Sequence, residues 1–379
     1  MKTQNKIAIL ALAAVLIAAP ACRNKAETNQ REYAYVSNGK SDTVTVIDLN
    51  ELKPLKTLTV GKSPTGVAEN PAKNEVYVVN TESNSVSVID ADRNEVVATI
   101  GVHRAPYFIS VSADGTRAYV ANSGSNNVSA IDLDRRQVLA NIDVGVQPGL
   151  ARVSKDGRVV VVTNRGGNSV SVIDAAKLTM RAEIPVCKNP EDLRILPDAS
   201  KVFVACTASG QVAAVDLKNN KVLALLKVGQ TPIQLALKPD GGELFVSNYD
   251  AHTISAINTT ANEVSESFLA GDNPVRGLVT SDNALLFVNN HGSNTVAVVD
   301  IGTRKMLVSV QVGSRPDAMA LSTGEKLLLV VDSHSGDVAV LRLDKRIDKK
   351  NTNPPQRLFT MVPVGMQPND IAVKAIAAL

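Results

Sequence analysis

Tyr35-Val-Ser-Asn38, Tyr77-Val-Val-Asn80, Tyr119-Val-Ala-Asn122, Val161-Val-Thr-Asn164, Phe203-Val-Ala-Cys206, Phe245-Val-Ser-Asn248, Phe287-Val-Asn-Asn290 and Leu329-Val-Val-Asp332 begin 42 residues apart without a slip. A repeat of about 40 to 45 residues carrying several short strands marks a β-propeller, because one small sheet cannot bury both faces alone whereas a ring of sheets can.

The unit from Gly229 to Ala270 shows how one blade reads. Ile233 to Lys238 follows Gly229-Gln-Thr-Pro232 and runs into Pro239-Asp-Gly-Gly242, so it is a first strand entering a tight turn, with Asp240-Gly241 suited to positive φ. Phe245 to Asn248, Thr253 to Ile257 and Val264 to Leu269 supply the second, third and fourth strands. The Asn residues closing most second strands, and Asp48, Asp90, Asp132, Asp174, Asp216 and Asp300 closing third strands, stand where a short polar side chain bonds a turning backbone, and are read as scaffold. The chain enters at Tyr33 with strands two to four, passes through seven full units, and ends with a lone first strand, Asp370 to Lys374. Joining that strand to the N-terminal three closes the ring and leaves no open edge. The expectation is an all-β, eight-bladed propeller of four-stranded blades, a single domain over residues 33–379.

Tyr-Val-x-Asn, Ser-Asn-x-Val-Ser-Val-Ile-Asp and Gly-x-x-Pro recur along the chain and resemble the YVTN family of bacterial and archaeal propeller repeats, itself similar to the haem-bearing propeller of cytochrome-type nitrite reductase. The resemblance implies the fold and export from the cytoplasm. It implies no particular reaction, because propellers host many unrelated functions.

Residues 1–22 read as a signal: Lys2 and Lys6 flank an apolar run from Ile7 to Ala19 that is shorter than the ~20 residues a membrane span needs. Ala19-Pro20-Ala21 before Cys22 resembles a lipoprotein signal, with Cys22 the lipidated first residue, and also satisfies ordinary signal cleavage. The protein is therefore expected to be lipid-anchored in the bacterial cell envelope, or periplasmic if Cys22 is not lipidated. Residues 23–32 are polar and suit a tether. Forty basic and thirty-seven acidic residues nearly cancel, which argues against nucleic acid as a partner. Cys187 and Cys206 are the remaining cysteines. They replace a loop glycine and a strand-ending asparagine of the same unit, and either bridge or stay as two buried thiols.

Since the repeated residues build scaffold, departures from the repeat are where function is sought. Four residues after each loop proline stand Ala68, Ser110, Arg152, Arg194, Ala236, Leu278, Ala320 and Ala372, so two adjacent blades place arginine on the innermost strand. A cation beside a channel needs a partner, either Glu191 and Asp192 or a bound anion. The loops before first strands add Arg104, Arg276 and Arg315 as further anion-binding candidates, among residues of both signs that include Lys62, Lys188, Asp272, Asp317 and Asp370. Tyr107 and Phe108, in a chain with 3% aromatic residues and no tryptophan, are candidate anchors for a partner. His103, His252, His291 and His334 share the same face but fall at unlike loop positions, so neither a metal site nor a cofactor is expected. In the haem-bearing propeller an axial histidine is needed, and none of the four maps onto it. A charged, proline-rich insertion from Asp344 to Arg357 on the opposite face reads as a solvated loop.

No nucleophile elbow, zinc-binding His-Glu-x-x-His, phosphate loop or Cys-x-x-Cys occurs. The leading reading is a non-catalytic binding scaffold that holds a protein, peptide or glycan at the loop-bearing face and channel mouth, with the membrane reached through the lipid anchor alone. The alternatives are a lactonase-type hydrolase with Arg152, Arg194 and Glu191 or Asp192 around an anionic substrate, and a haem or metal carrier.

Overall fold

The computed structural model describes residues 31–343 and 356–376, which form 32 strands in eight four-stranded antiparallel sheets. Cys22, the signal, most of the tether and the insertion at residues 344–355 lie outside the described residues. Blade 1 is assembled from both ends of the chain: Arg31–Asn38, Thr43–Asp48 and Lys53–Thr59 supply its outer three strands, and Pro368–Ile376 its innermost one. Blades 2 to 8 follow in order, opening at Pro64, Pro106, Pro148, Pro190, Pro232, Pro274 and Pro316. The second strand of blade 1 starts at Arg31, two residues ahead of the expected Tyr33, because the long closing strand still has Ile376 and Ala375 to pair with Arg31 and Glu32.

The core is a ring of eight apolar clusters, each shared by two neighbouring blades, and the cluster joining Ala34 and Val36 to Leu329 and Val331 completes the circle. The aromatic residues of the repeat, Tyr35, Tyr77, Tyr119, Phe203, Phe245 and Phe287, are its largest fully buried side chains. Fourth strands are the outer edge of each sheet, and Lys53–Thr59 stays exposed apart from Leu58.

Third-strand aspartates act as the sequence predicts: Asp48 Oδ1 accepts the Asn50 and Glu51 N–H groups at 2.8 and 3.1 Å. The second-strand asparagines differ from expectation. They are buried and donate sideways from Nδ2 to third-strand hydroxyls, as Asn38 does to Thr43 and Thr45 at 3.1 and 2.9 Å, and Asn164 to Ser169 and Ser171 at 2.9 and 3.0 Å. All but Asn122, whose blade has His103 at that loop position, lie hard against the loop glycine of their own blade, and a Cβ at Gly61 or Gly229 would fall 2.7 Å from the Asn80 or Asn248 side chain. Glycine is required there by close approach, not by its dihedral freedom. Blade 5 replaces both partners of this contact, and Cys187 and Cys206 form a disulfide across it with their Cα atoms 5.6 Å apart.

Candidate binding site at the channel mouth

Every first strand breaks register just after its loop proline. In blade 5, Pro190 pairs with Cys206 and Asp192 with Ala205, leaving Glu191 as the extra residue, and the other seven blades shift at the same place. A bulge re-aims the side chains beside it. The second residue after the proline, like the fourth, then belongs to the channel side of the innermost strand.

That second position carries Asp192, Gln234, Arg276 and Asp370 in four of the blades. Three of them fasten onto the first strand of the next blade. Asp192 Oδ2 accepts the Leu235 N–H at 3.0 Å, Gln234 Oε1 the Gly277 N–H at 2.7 Å, and Asp370 Oδ2 the Val67 N–H at 3.1 Å. Position alternation alone reveals this ring, since residues two apart share a strand face; Gln234 is the member the sequence reading omits, while Arg276 and Asp370 are read at the loops before first strands, Asp370 also as the start of the closing strand. Both belong to first strands, Pro274–Val279 and Pro368–Ile376.

Asp192 is the centre of the charge arrangement. Arg194 Nη1 donates to its Oδ1 at 2.9 Å and Arg152 Nη2 to the same oxygen at 3.4 Å, while its side chain is only 6% exposed. Burial pushes the Asp192 carboxyl up, but the two guanidinium charges and the Leu235 and Leu193 N–H groups outweigh it and hold the group below the usual carboxylate range. Arg194 is pulled down to about 10, first by burial and then by the nearby Arg152 charge, with Arg276 contributing. Arg276 Nη1 lies 3.6 Å from Asp370 Oδ1, whose carboxyl burial raises and Arg276 only partly offsets. The mouth therefore gathers three guanidinium groups against two carboxylates. Arg152 Nε is buried and has no hydrogen-bond partner among the described residues.

Glu191 belongs to a different contact from the one the sequence offered. Its Oε1 takes Arg165 Nη2 at 2.5 Å, and burial raises its carboxyl despite that pairing. The Arg165 guanidinium covers the Tyr107 ring at 4.9 Å, and Arg152 covers Phe108 at 4.7 Å, so both candidate anchor rings carry a cation on one face. Tyr107 remains 42% exposed. Arg104 is exposed on the rim of blade 3 and takes no part in the channel cluster, and Arg315 lies apart from it, in a cavity beside blades 8 and 1.

The histidines resolve into separate local roles. Asn127 Nδ2 donates to His103 Nδ1 at 2.6 Å. His252 has φ 57° and its Nδ1 accepts the Asn273 N–H at 3.0 Å, the service that Asn84 and Asn126 perform for Ala105 and Gln147 in other blades. His291 Nε2 meets Asp317 Oδ1 at 2.5 Å and stacks edge-on to Tyr249. Among the described residues no three His, Cys, Asp or Glu side chains are grouped to hold a metal ion.

These features define an eight-bladed propeller whose channel mouth is an arginine-rich, part-buried polar cluster. Residues 70–209 match the family model described as the cytochrome D1 heme domain, a stretch running from blade 2 into blade 5 that contains Tyr107, Arg152, Arg165 and Arg194. Among solved structures the chain is similar to dihydro-heme d1 dehydrogenase NirN in complex with DHE, at 13% identity and TM-score 0.74, covering 90% of this chain and 74% of that one. It is also similar to hydrazine synthase of Kuenenia stuttgartiensis, at 20% identity and TM-score 0.60, over 74% of this chain and 95% of that one. A protein of unknown function from Desulfotomaculum acetoxidans aligns at 14% identity and TM-score 0.61, over 90% and 98% of the two chains. No curated protein matches this sequence.

Proposed function

We propose that the protein is a non-catalytic binding protein whose channel mouth holds the carboxylate edge of an organic anion, with a tetrapyrrole of the haem class as the ligand. The observation that carries this reading is the excess of guanidinium over carboxylate at the mouth, where Arg152, Arg194 and their shared Asp192 fall inside the stretch similar to a haem domain and Arg276 with Asp370 outside it. Arginine forks suit carboxylates, and the Arg152 and Arg194 side chains stay partly exposed beside their contact with Asp192. The residues fit the acidic rim of such a ligand. They offer less to a central iron, since His103 and His252 each accept a hydrogen bond at Nδ1, which leaves the proton on Nε2 and neither ring nitrogen free to ligate. When bound, a haem would supply redox or ligand-binding chemistry of its own; this chain's residues would anchor its carboxylates and shield one face. The Cys187–Cys206 bridge supports export to an oxidising compartment, and lipidation of Cys22 is the proposed anchor.

Titration of the purified protein with haem and with metal-free protoporphyrin, read by the Soret band and by calorimetry, tests the proposal. One saturable site is expected for both. Removing the arginines alone would strand a buried carboxylate, so the variant to compare is Arg152→Ala, Arg194→Ala with Asp192→Asn, in which the asparagine oxygen can still accept the Leu235 N–H as Gln234 does for Gly277. It should fold and bind at least tenfold more weakly. Equal affinity in that variant, or no saturable binding of either ligand, overturns the reading.

A further inference from the structure

The seam where the two chain ends meet carries a second group of departures from the repeat. The second residue after the second-strand Asn or its substitute is Glu82, Gly124, Gly166, Ala208, Asp250 or Gly292 in blades 2 to 7, but His334 in blade 8 and Lys40 in blade 1. The residue before the loop proline is polar and uncharged or alanine in seven blades and Arg315 in blade 8. All three substitutions line one cavity of about 700 Å³ between blades 8 and 1. Their backbones are fixed: Lys40 N–H bonds the Met366 carbonyl at 3.2 Å, His334 N–H the Ser314 carbonyl at 3.1 Å, and Arg315 N–H the Asn294 Oδ1 at 2.9 Å.

Neither Lys40 nor Arg315 has a carboxylate partner among the described residues. The one acid in the cavity wall, Asp317, is already engaged by His291 at 2.5 Å; burial pushes its carboxyl up, but the His291 and Ser333 hydrogen bonds outweigh it and hold it low. Two unpaired cations and a histidine thus face a common space. They come from three separate loops, a spread of donors that matches a tetrahedral three-oxygen group better than a planar carboxylate, which one guanidinium fork can satisfy alone. The cavity falls within the ~300–1,000 Å³ range of small-molecule sites, far larger than a bare phosphate. Val364 and exposed Met366 add an apolar wall.

We infer that this seam cavity is a binding site for a small phosphate monoester, with Arg315, Lys40 and His334 on the phosphate and the Val364–Met366 wall against the organic part. It is separate from the channel mouth, and it stands whether or not a tetrapyrrole binds there.

Phenyl phosphate and benzoate share an apolar ring and differ in the anion, so calorimetric titration of each into the full chain reads the site directly. Phenyl phosphate is expected to bind at least tenfold more tightly than benzoate. Arg315→Gln and Lys40→Gly install residues the repeat already uses at these positions, as in Gln147 and Gly124, so both variants should fold, with melting curves as the check. Each should lose tenfold or more in phenyl phosphate affinity while tetrapyrrole binding stays unchanged. Equal binding of the two anions overturns the inference. So does phenyl phosphate affinity that survives both variants but is lost in the Arg152, Arg194 and Asp192 variant, which would place the anion at the mouth.

Discussion

Asp332 closes the second strand of blade 8 where six other blades use asparagine. It is fully buried, and burial followed by the neighbouring Asp337 charge pushes its carboxyl up to about 8. Near neutral pH it is therefore a neutral acid, with its Oδ2 accepting the Gly313 N–H at 3.0 Å and its proton available to Asp337, much as an asparagine amide donates to strand three. The folded chain keeps this proton while the unfolded chain releases it near 3.8, so stability falls as pH rises from about 4 to about 8 and levels off above. Asp332→Asn supplies the donor without a titrating proton. Urea melts at pH 5 and pH 8 should show the variant about 1–2 kcal/mol more stable than the parent at pH 8, with a flatter pH dependence. A variant no more stable at pH 8 would mean that Asp332 is not held as a buried neutral acid.

At the scale of the single element, the blade 5 disulfide shows what the repeat specifies. Six loop glycines exist to let a second-strand side chain come close, as Gly61 does for Asn80, and the cysteine pair solves the same problem with a bond. Reduction should lower stability by about 3 kcal/mol for a loop of this size. Cys187→Gly with Cys206→Asn should refold as an ordinary blade whose melting no longer responds to dithiothreitol. If that variant fails to fold while the reduced parent does, the equivalence of the two solutions is wrong. Strand order, blade number and turn aspartates were legible in the sequence because they recur at a fixed spacing and act within one unit. The bulge after each proline was not, since it is a mismatch between two strands that composition does not record. Beyond that bulge residues two apart share a face, so the ring of Asp192, Gln234, Arg276 and Asp370 lay within reach of alternation alone, yet its charged members were named singly and Gln234 was not named. The sideways role of the asparagines was hidden for the same reason as the bulge: their partners lie five and seven residues on, across a strand pair.

For the whole ring, closure depends on one strand. Pro368–Ile376 supplies Ile371 to the cluster shared by blades 8 and 1, and Ala372 and Ile376 to the cluster shared by blades 1 and 2. Its polar residues reach further: Asp370 holds the Val67 N–H and faces Arg276, and Lys374 Nζ donates to the Asn70 carbonyl at 2.6 Å. Without it the second strand of blade 1 becomes an open edge and two inter-blade cores are exposed together, at about 25 cal/mol for each Å² of apolar surface returned to water. Because each blade packs only against its neighbours, that loss could in principle stay local. A ring differs from an open stack, since every blade has two neighbours only while the circle is intact. A chain ending at Gly365 should therefore lose its single cooperative melting transition and associate through the open edge, as read by calorimetry and light scattering. A peptide of residues 366–379 added in excess should restore the transition by filling the vacant strand position. If the truncated chain melts as sharply and as high as the parent, inter-blade packing alone holds the ring and the closing strand is dispensable.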